Sequence, residues 1–427
     1  MSEPDCIVVG AGLAGLACAR TLVAAGRRVL VVEAADRVGG RVATDTLDGF
    51  RIDRGFQVYN DAYPEGRQQL DLAALGLGAF EPGAVIAEGT RLRRVADPWR
   101  RPWAAVKGVL DGTAGIADGL RTAKLRAQTI RMFRAGRLDP AAAAAGERTT
   151  REELAARGFS PAFVRRFFVP FFGGVFLERA LDTAAAVFLF DFAMFSLGRA
   201  CLPCGGMDAI PRQLAAGLPV DAIRLGTRVR RVESGRVILD DGSELLAPQV
   251  VVAADAAAAA MMLPGADRSG AVPRRWKSTR LAAFAAPRSP LPGRVLLVNA
   301  ADGPIDNLTV PSDVAAGYAP AGRSLIYASL RADAPADGPR LVVAVKQQAA
   351  GWFAAAVNEW THLTTVEVPH ALPDESPAAR RDRPGGPRLA PGLFICGDHC
   401  STASINGALA SGRLCAEALL ASGHATP

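Results

Sequence analysis

The sequence predicts an α/β fold of two interleaved domains, and three observations carry that prediction. A short apolar run is followed at once by a glycine-rich turn, a helical stretch and a second apolar run ending in an acid, all between Cys6 and Glu33. A second run that ends in an acid, Gly392–Asp398, returns near the C-terminus and is followed by a helix start. The chain has 427 residues, 50% of them apolar, which is about two to three times the usual domain size and enough for a large core.

The first forty or so residues are the most informative. Cys6-Ile-Val-Val-Gly10 carries no polar side chain beyond the thiol, as expected of a strand covered on both faces of a sheet. Gly10-Ala-Gly12-Leu13-Ala14-Gly15 then opens a helix that runs to about Ala25, with Gly26 as its stop. Arg28-Val-Leu-Val-Val-Glu33 is the second buried strand, with Ala34 just beyond it. This is a βαβ unit of Rossmann-like type, and each part of its turn has a physical task. Gly10 permits the tight turn, Gly12 lets the backbone approach a pyrophosphate, and Gly15 allows close helix–strand packing. The helix N-terminus offers free N–H groups and partial positive charge. Glu33 can accept from both hydroxyls of a ribose and would repel a 2′-phosphate. A second glycine motif follows directly, Asp36-Arg-Val-Gly39-Gly40-Arg41.

This pair of motifs resembles the flavin-containing amine oxidase and phytoene desaturase superfamily, whose members hold FAD with it. The resemblance continues in Asp53-Arg-Gly55-Phe56-Gln57, a loop that in the family runs beside the isoalloxazine ring. Gly226–Val232 and Gly235–Gly242 read as a hairpin, followed by a buried strand at Gln249–Asp255. The resemblance implies that Val229 contacts the adenine through its backbone. It also implies that Asp398 of Gly397-Asp398 bonds the ribityl or pyrophosphate part of FAD. The helix start at Ser404-Ile405-Asn406 would then point at the flavin N1–C2=O edge, where it would stabilise a reduced ring. The implied cofactor is noncovalent FAD. Residues 1–75, 205–260 and 385–427 are expected to form the Rossmann-like FAD-binding domain. Residues 76–204 and 261–384 are expected to form an α+β substrate domain, helical in its first part and with strand-like runs at Val295–Val298 and Leu341–Val345 in its second.

Eleven of the 18 phenylalanines fall between Phe159 and Phe195. They read as a helical core, with a sharper alternative in which several wall an apolar tunnel to the flavin. Cys201 and Cys204 have CxxC spacing but sit in a Pro-Gly-Gly turn, so neither a redox dithiol nor a metal site is expected. His399, which follows the flavin acid, and His370 are weak catalytic candidates.

The net charge of +7 comes with only four lysines among 49 basic residues, and the arginines are spread along the chain. A nucleic-acid partner needs basic charge concentrated on one face, so none is expected. The clusters Arg91–Arg101 and Arg274–Arg280 are candidate contacts with an anionic membrane surface. No uncharged run reaches the ~20 residues of a spanning helix, the N-terminus is acidic, and the seven cysteines are odd in number. A cytoplasmic protein with reduced thiols is expected.

The resemblance implies an FAD-dependent oxidoreductase acting on a small molecule. The first reading is hydride removal from a largely apolar substrate by transfer to flavin N5, as in a desaturase or dehydrogenase. One alternative is amine oxidation to an imine with release of H2O2, and another is a non-redox FAD-dependent isomerase. Many amine oxidases of the family place a lysine near N5. The corresponding run Arg280–Ala286 has none and Lys277 lies upstream, which favours the desaturase-like branch. With a single GxGxxG–acid unit, electrons are expected to leave to oxygen, a quinone or another protein, and NAD(P)H to be a poor reductant.

Overall fold

A computed structural model describes residues 3–96, 115–142, 146–263, 273, 275–336, 338–381, 383 and 385–422. Arg100, Arg101 and Arg274 of the two arginine clusters lie outside the described residues.

Strand β1 (Cys6–Val9) pairs in parallel with β2 (Val29–Val32) on one side and with Gln249–Val252 on the other. All four of its side chains are buried, which is why the run shows no polar alternation. Helix α1 (Leu13–Ala24) makes the crossover. The sheet has six strands in the order Ile223–Arg224, β2, β1, Gln249–Val252, Leu393–Ile395, Arg388–Ala390. It is parallel except for the last strand, which pairs antiparallel. The hairpin expected after Gly226 forms between Val229–Glu233 and Arg236–Leu239.

A second, seven-stranded sheet runs Thr361–Pro373, Trp276–Ala286, Ser324–Leu330, Ile305–Thr309, Leu296–Asn299, Gly83–Glu88, Arg91–Ala96. The strand Trp276–Ala286 shows how the two sheets meet. Leu281, Ala283 and Ala285 enter the core shared with α1, whereas Ala282, Phe284 and Ala286 pack under helix Gly338–Phe353, the period-2 alternation of a strand covered on both sides.

The expectation of a strand at Leu341–Val345 is corrected. The run lies inside helix Gly338–Phe353, whose buried residues Leu341, Val345 and Ala349 recur every fourth position. That is one face of a helix, and a short apolar window cannot distinguish it from a buried strand.

A buried carboxylate ties the strand Phe50–Asp53 to its surroundings. Asp53 accepts from Thr44 Oγ1 (2.6 Å), Tyr318 OH (2.7 Å) and the Met207 N–H (3.0 Å), and its own N–H donates to Tyr327 OH at 2.8 Å. Burial outweighs these donors and pushes Asp53 up to about 6, against about 3.9 in an unfolded chain. The folded state therefore holds this proton more tightly, and stability falls as pH rises between about 4 and 6. Urea titrations should show wild type losing up to about 3 kcal/mol more than Asp53→Asn across that window. Parallel pH profiles for the two proteins would contradict the assignment.

Candidate active site

One cavity of about 1300 Å3 runs from the C-terminal ends of β1 and β2 to the helices of the phenylalanine-rich segment. Gly10, Gly12, Leu13, Ala14, Glu33, Ala34, Gly40, Arg41 and Val229 line its first end. Gly10 has φ +111°, and a Cβ there would meet Ala253 O at 2.8 Å, so the tight turn admits no side chain. Gly12 is the N-cap of α1, with no side-chain cap, no acid in the first turn, and open space where a Cβ would stand. The first N–H groups of α1 are left for whatever occupies the cavity.

Glu33 is fixed at the rim by two backbone donors, the Ala11 N–H to Oε2 (2.7 Å) and the Ala35 N–H to Oε1 (2.9 Å). Each oxygen keeps a further acceptor site. The second glycine motif lies against the first turn through the Gly39 N–H to Ala11 O (2.9 Å). It delivers Arg41 to Asp398 in a two-pronged ion pair, with Nη2 to Oδ1 at 2.6 Å and Nη1 to Oδ2 at 2.8 Å. Burial alone would raise Asp398, but the Arg41 guanidinium wins and holds it well below the usual carboxylate range. Sequence reading named both residues without foreseeing that they pair.

Gly55, Phe56, Gln57, Gly397, Asp398, Ser404 and Ile405 line the middle of the cavity. Gln57 Nε2 donates to the carbonyls of Arg41 (3.0 Å) and Arg54 (3.2 Å), while its Oε1 is buried without a partner among the described residues. Ser404 Oγ accepts from the Gly407 N–H at 2.9 Å at the start of helix Ile405–Ser422, so the positive end of that helix borders the same space. Gly15, Asn406 and His399 do not line it. A Cβ on Gly15 would lie 2.0 Å from Gly10 O, the close packing its role requires. Asn406 Oδ1 accepts from the Glu65 N–H at 3.1 Å. His399 is 2% exposed, and neither ring nitrogen has a hydrogen-bond partner among the described residues. His370 does line the cavity, with its ring 5.1 Å from that of Trp276.

The far end is aromatic. Phe163, Phe167, Phe171, Phe172, Phe176, Phe192 and Phe195 line the cavity, while Phe168, Phe188 and Phe190 sit behind them in the core. The segment therefore serves as core and as wall. Its helix contains a π-helical turn, Val164–Phe168, a feature that often marks functional sites.

Asp191, Lys277, Thr279 and Glu375, none of them named as site residues from the sequence, also line the cavity, Thr279 against Gly55 and Glu375 against Ala403. Lys277 Nζ donates to Thr183 Oγ1 at 3.2 Å and lies 3.9 Å from Glu178 Oε1, and burial pushes its ammonium down. No local spacing marks it in the sequence: the strand Trp276–Ala286 brings both Lys277 and Thr279 to the cavity although its register shifts between them. Glu375 is consumed by Arg380 (3.0 Å), Arg383 (2.7 Å) and the Ala403 N–H (2.8 Å). Asp191 is the single charged residue of helix Ala185–Leu197, and burial, with Glu375 nearby, pushes it up to about 7. Cys201 and Cys204 are free thiols, the first buried and the second exposed. Cys18, Cys396 and Cys415 bring their sulfurs within 4.8 Å of one another in the buried core.

The chain matches the family described as flavin containing amine oxidoreductase over residues 13–420. It belongs to that family. FAD is the family's cofactor, and its members are oxidoreductases. It is 32% identical over 266 residues to a phytoene dehydrogenase of Streptomyces griseus, a stretch covering 53% of this chain and 48% of that protein. A putrescine oxidase of Kocuria rosea is 62% identical over 55 residues, 13% of this chain and 12% of that one. The matched stretches thus span at most about half of these relatives. Among solved structures, a double mutant of putrescine oxidase superposes with a TM-score of 0.72 at 18% identity, covering 98% of this chain and 99% of the other. A putative protoporphyrinogen oxidase from Exiguobacterium gives 0.70 at 19% identity, covering 99% and 100%. These likenesses establish the fold. Among the described residues no helix is long and apolar enough to cross a membrane.

Proposed function

We propose that this family member is a dehydrogenase that removes a hydride from a largely apolar small molecule. The observation that carries this reading is the continuity of one cavity, from the glycine motifs to a wall of seven phenylalanines. Bound FAD supplies the two-electron oxidant. The residues present fit it: an uncapped helix start at Gly12, an orphaned Gln57 Oε1, and a second helix start at Ser404 all border the same space. In this reading the Leu13 and Ala14 N–H groups bind the pyrophosphate, Glu33 the ribose and the Val229 backbone the adenine. Gly40, Arg41 and Asp398 flank the ribityl and pyrophosphate portion, Gly55, Phe56 and Gln57 border the ring, and Ser404 and Ile405 present the helix N-terminus. Residues 1–75, 205–260 and 385–427 form the FAD-binding domain, and 76–204 with 261–384 the substrate domain. The phenylalanine wall holds the substrate body and excludes water. Attachment is noncovalent, and acid precipitation should release the flavin into the supernatant. A yellow pellet would contradict that.

Amine oxidation is the second reading, and Lys277 favours it as a lysine that lines the same cavity, although it lies upstream of the run Arg280–Ala286. Anaerobic mixing with polyenes and with simple amines separates the two. Anaerobic bleaching of the flavin by the apolar set is expected; faster anaerobic bleaching by simple amines, with H2O2 released once air is admitted, would reverse the order.

Glu33→Ala should weaken FAD binding. The loss is one hydrogen bond to a charged group, worth ~1.5–3 kcal/mol, or roughly tenfold to a few hundredfold in affinity. Flavin occupancy after dialysis reads the effect, with circular dichroism as the folding control. Full occupancy in the variant would place the ribose elsewhere.

A further inference from the structure

Three buried carboxyl groups line the cavity: Asp398, Glu375 and Asp191. The first two are neutralised, Asp398 by Arg41 and Glu375 by Arg380 and Arg383. Asp191 is 8% exposed, and among the described residues no hydrogen bond or ion pair reaches its carboxyl group. Along its own helix Val187, Phe192, Phe195 and Ser196 also face the cavity, with Phe172 from the preceding segment and Tyr63, whose ring carries a hydroxyl, nearby. Burying an unpartnered carboxyl group is costly unless something supplies a donor. No described protein group does so, although the cavity is open to a ligand.

We infer that Asp191 is a substrate-recognition subsite for a hydrogen-bond-donating head group on an otherwise apolar molecule. The inference rests on the proposed reading of this cavity as the substrate site, and it sharpens that reading by excluding a pure hydrocarbon as the preferred ligand. The donor is a hydroxyl or an ammonium, and either chemistry satisfies the carboxyl group in the same way. The phenylalanine wall takes the body, and the head group meets the Asp191 carboxyl group, the one buried carboxyl of the cavity lining with no partner among the described residues. Asn307 Oδ1 is another unpartnered acceptor in the lining, but a neutral one. The helix sequence agrees: Ala185–Leu197 is apolar at nearly every position, and Asp191 interrupts the run between Phe190 and Phe192. A leucine there would pack at least as well, so stability alone gives no account of an acid at this position.

The test uses the FAD-loaded protein and three probes with the same alkyl body: 1-decanol, decylammonium and decyl methyl ether. Calorimetric titration should give at least tenfold tighter binding for a donor-bearing probe than for the ether. Preference for decanol assigns a hydroxyl, and preference for decylammonium assigns an ammonium. Asp191→Leu should erase the preference while leaving ether binding and flavin content unchanged. Asp191→Asn, which keeps an acceptor but no charge, should erase only a preference for decylammonium. Equal affinity of all three probes for the wild-type protein, including no measurable binding of any, would overturn the subsite, as would a preference that survives Asp191→Leu. The dehydrogenase reading fails by a different sign, a flavin that no compound bleaches under anaerobic conditions.

Discussion

Arg41→Ala should cost about 3–5 kcal/mol of stability and leave the protein unable to retain flavin through dialysis. The cost is electrostatic. Asp398 is 5% exposed and its charge is matched by both prongs of the Arg41 guanidinium. Removing the cation leaves a buried carboxylate that, among the described residues, accepts from the His399 N–H and has the His399 Nδ1 at 3.9 Å, a far weaker partner than the guanidinium fork. The same change removes the donor to Ala371 O and so loosens the strand Thr361–Pro373, which lines the cavity. Arg41→Lys keeps the charge but loses the fork geometry, and should fall between wild type and alanine. Urea unfolding and flavin occupancy, measured together, check the series. An alanine variant with wild-type stability would mean that the pair is not formed in solution.

Two glycines of the first motif should fail in opposite ways when changed to alanine. At Gly15 a Cβ would stand 2.0 Å from Gly10 O and 3.1 Å from Ala253 Cβ. The first of these is backbone and cannot yield, so α1 must lift from β1. The cost should reach or exceed the upper end of the ~1–3 kcal/mol range for overpacking, with loss of soluble expression as one form of the result. At Gly12 the added methyl meets nothing within 4 Å, so the fold should be unharmed. The methyl then projects toward the space assigned to the pyrophosphate, and FAD affinity should fall while the melting temperature of the apoprotein stays within a degree or two. Equal loss of stability in both variants would contradict the division of roles between the two positions.

The part of this molecule legible in its sequence is the part where backbone conformation or close approach dictates residue type. Gly10 and Gly15 are fixed by contacts with Ala253 and with each other, and such constraints leave a mark at constant spacing. The strands β1 and β2 were legible because burial on both faces leaves no polar residue. Leu341–Val345 was misread because a buried helix face and a buried strand look alike over five residues. The polar side of the cavity was not legible because it is assembled from distant segments. Lys277 acquires its meaning from Thr183 and Glu178, and Asp191 from the lack of a described partner. His399 illustrates the converse. Adjacency in sequence to Asp398 suggested a place at the site, but the chain turns after Gly397 and buries the ring outside the cavity lining.

The proposed function requires one cavity to hold FAD at the glycine motifs and an apolar hydride donor at the phenylalanine wall, with electrons leaving by a route other than a nicotinamide. The most direct measurement is the anaerobic visible spectrum of the purified protein, recorded first with NADH or NADPH and then with a panel of apolar candidate substrates. The oxidised flavin spectrum should persist with either nicotinamide and bleach with a member of the panel, its reoxidation requiring oxygen, a quinone or another protein. Rapid bleaching by NADH or NADPH alone would contradict it, and so would a panel compound that is isomerised at unchanged mass only when the flavin is already reduced.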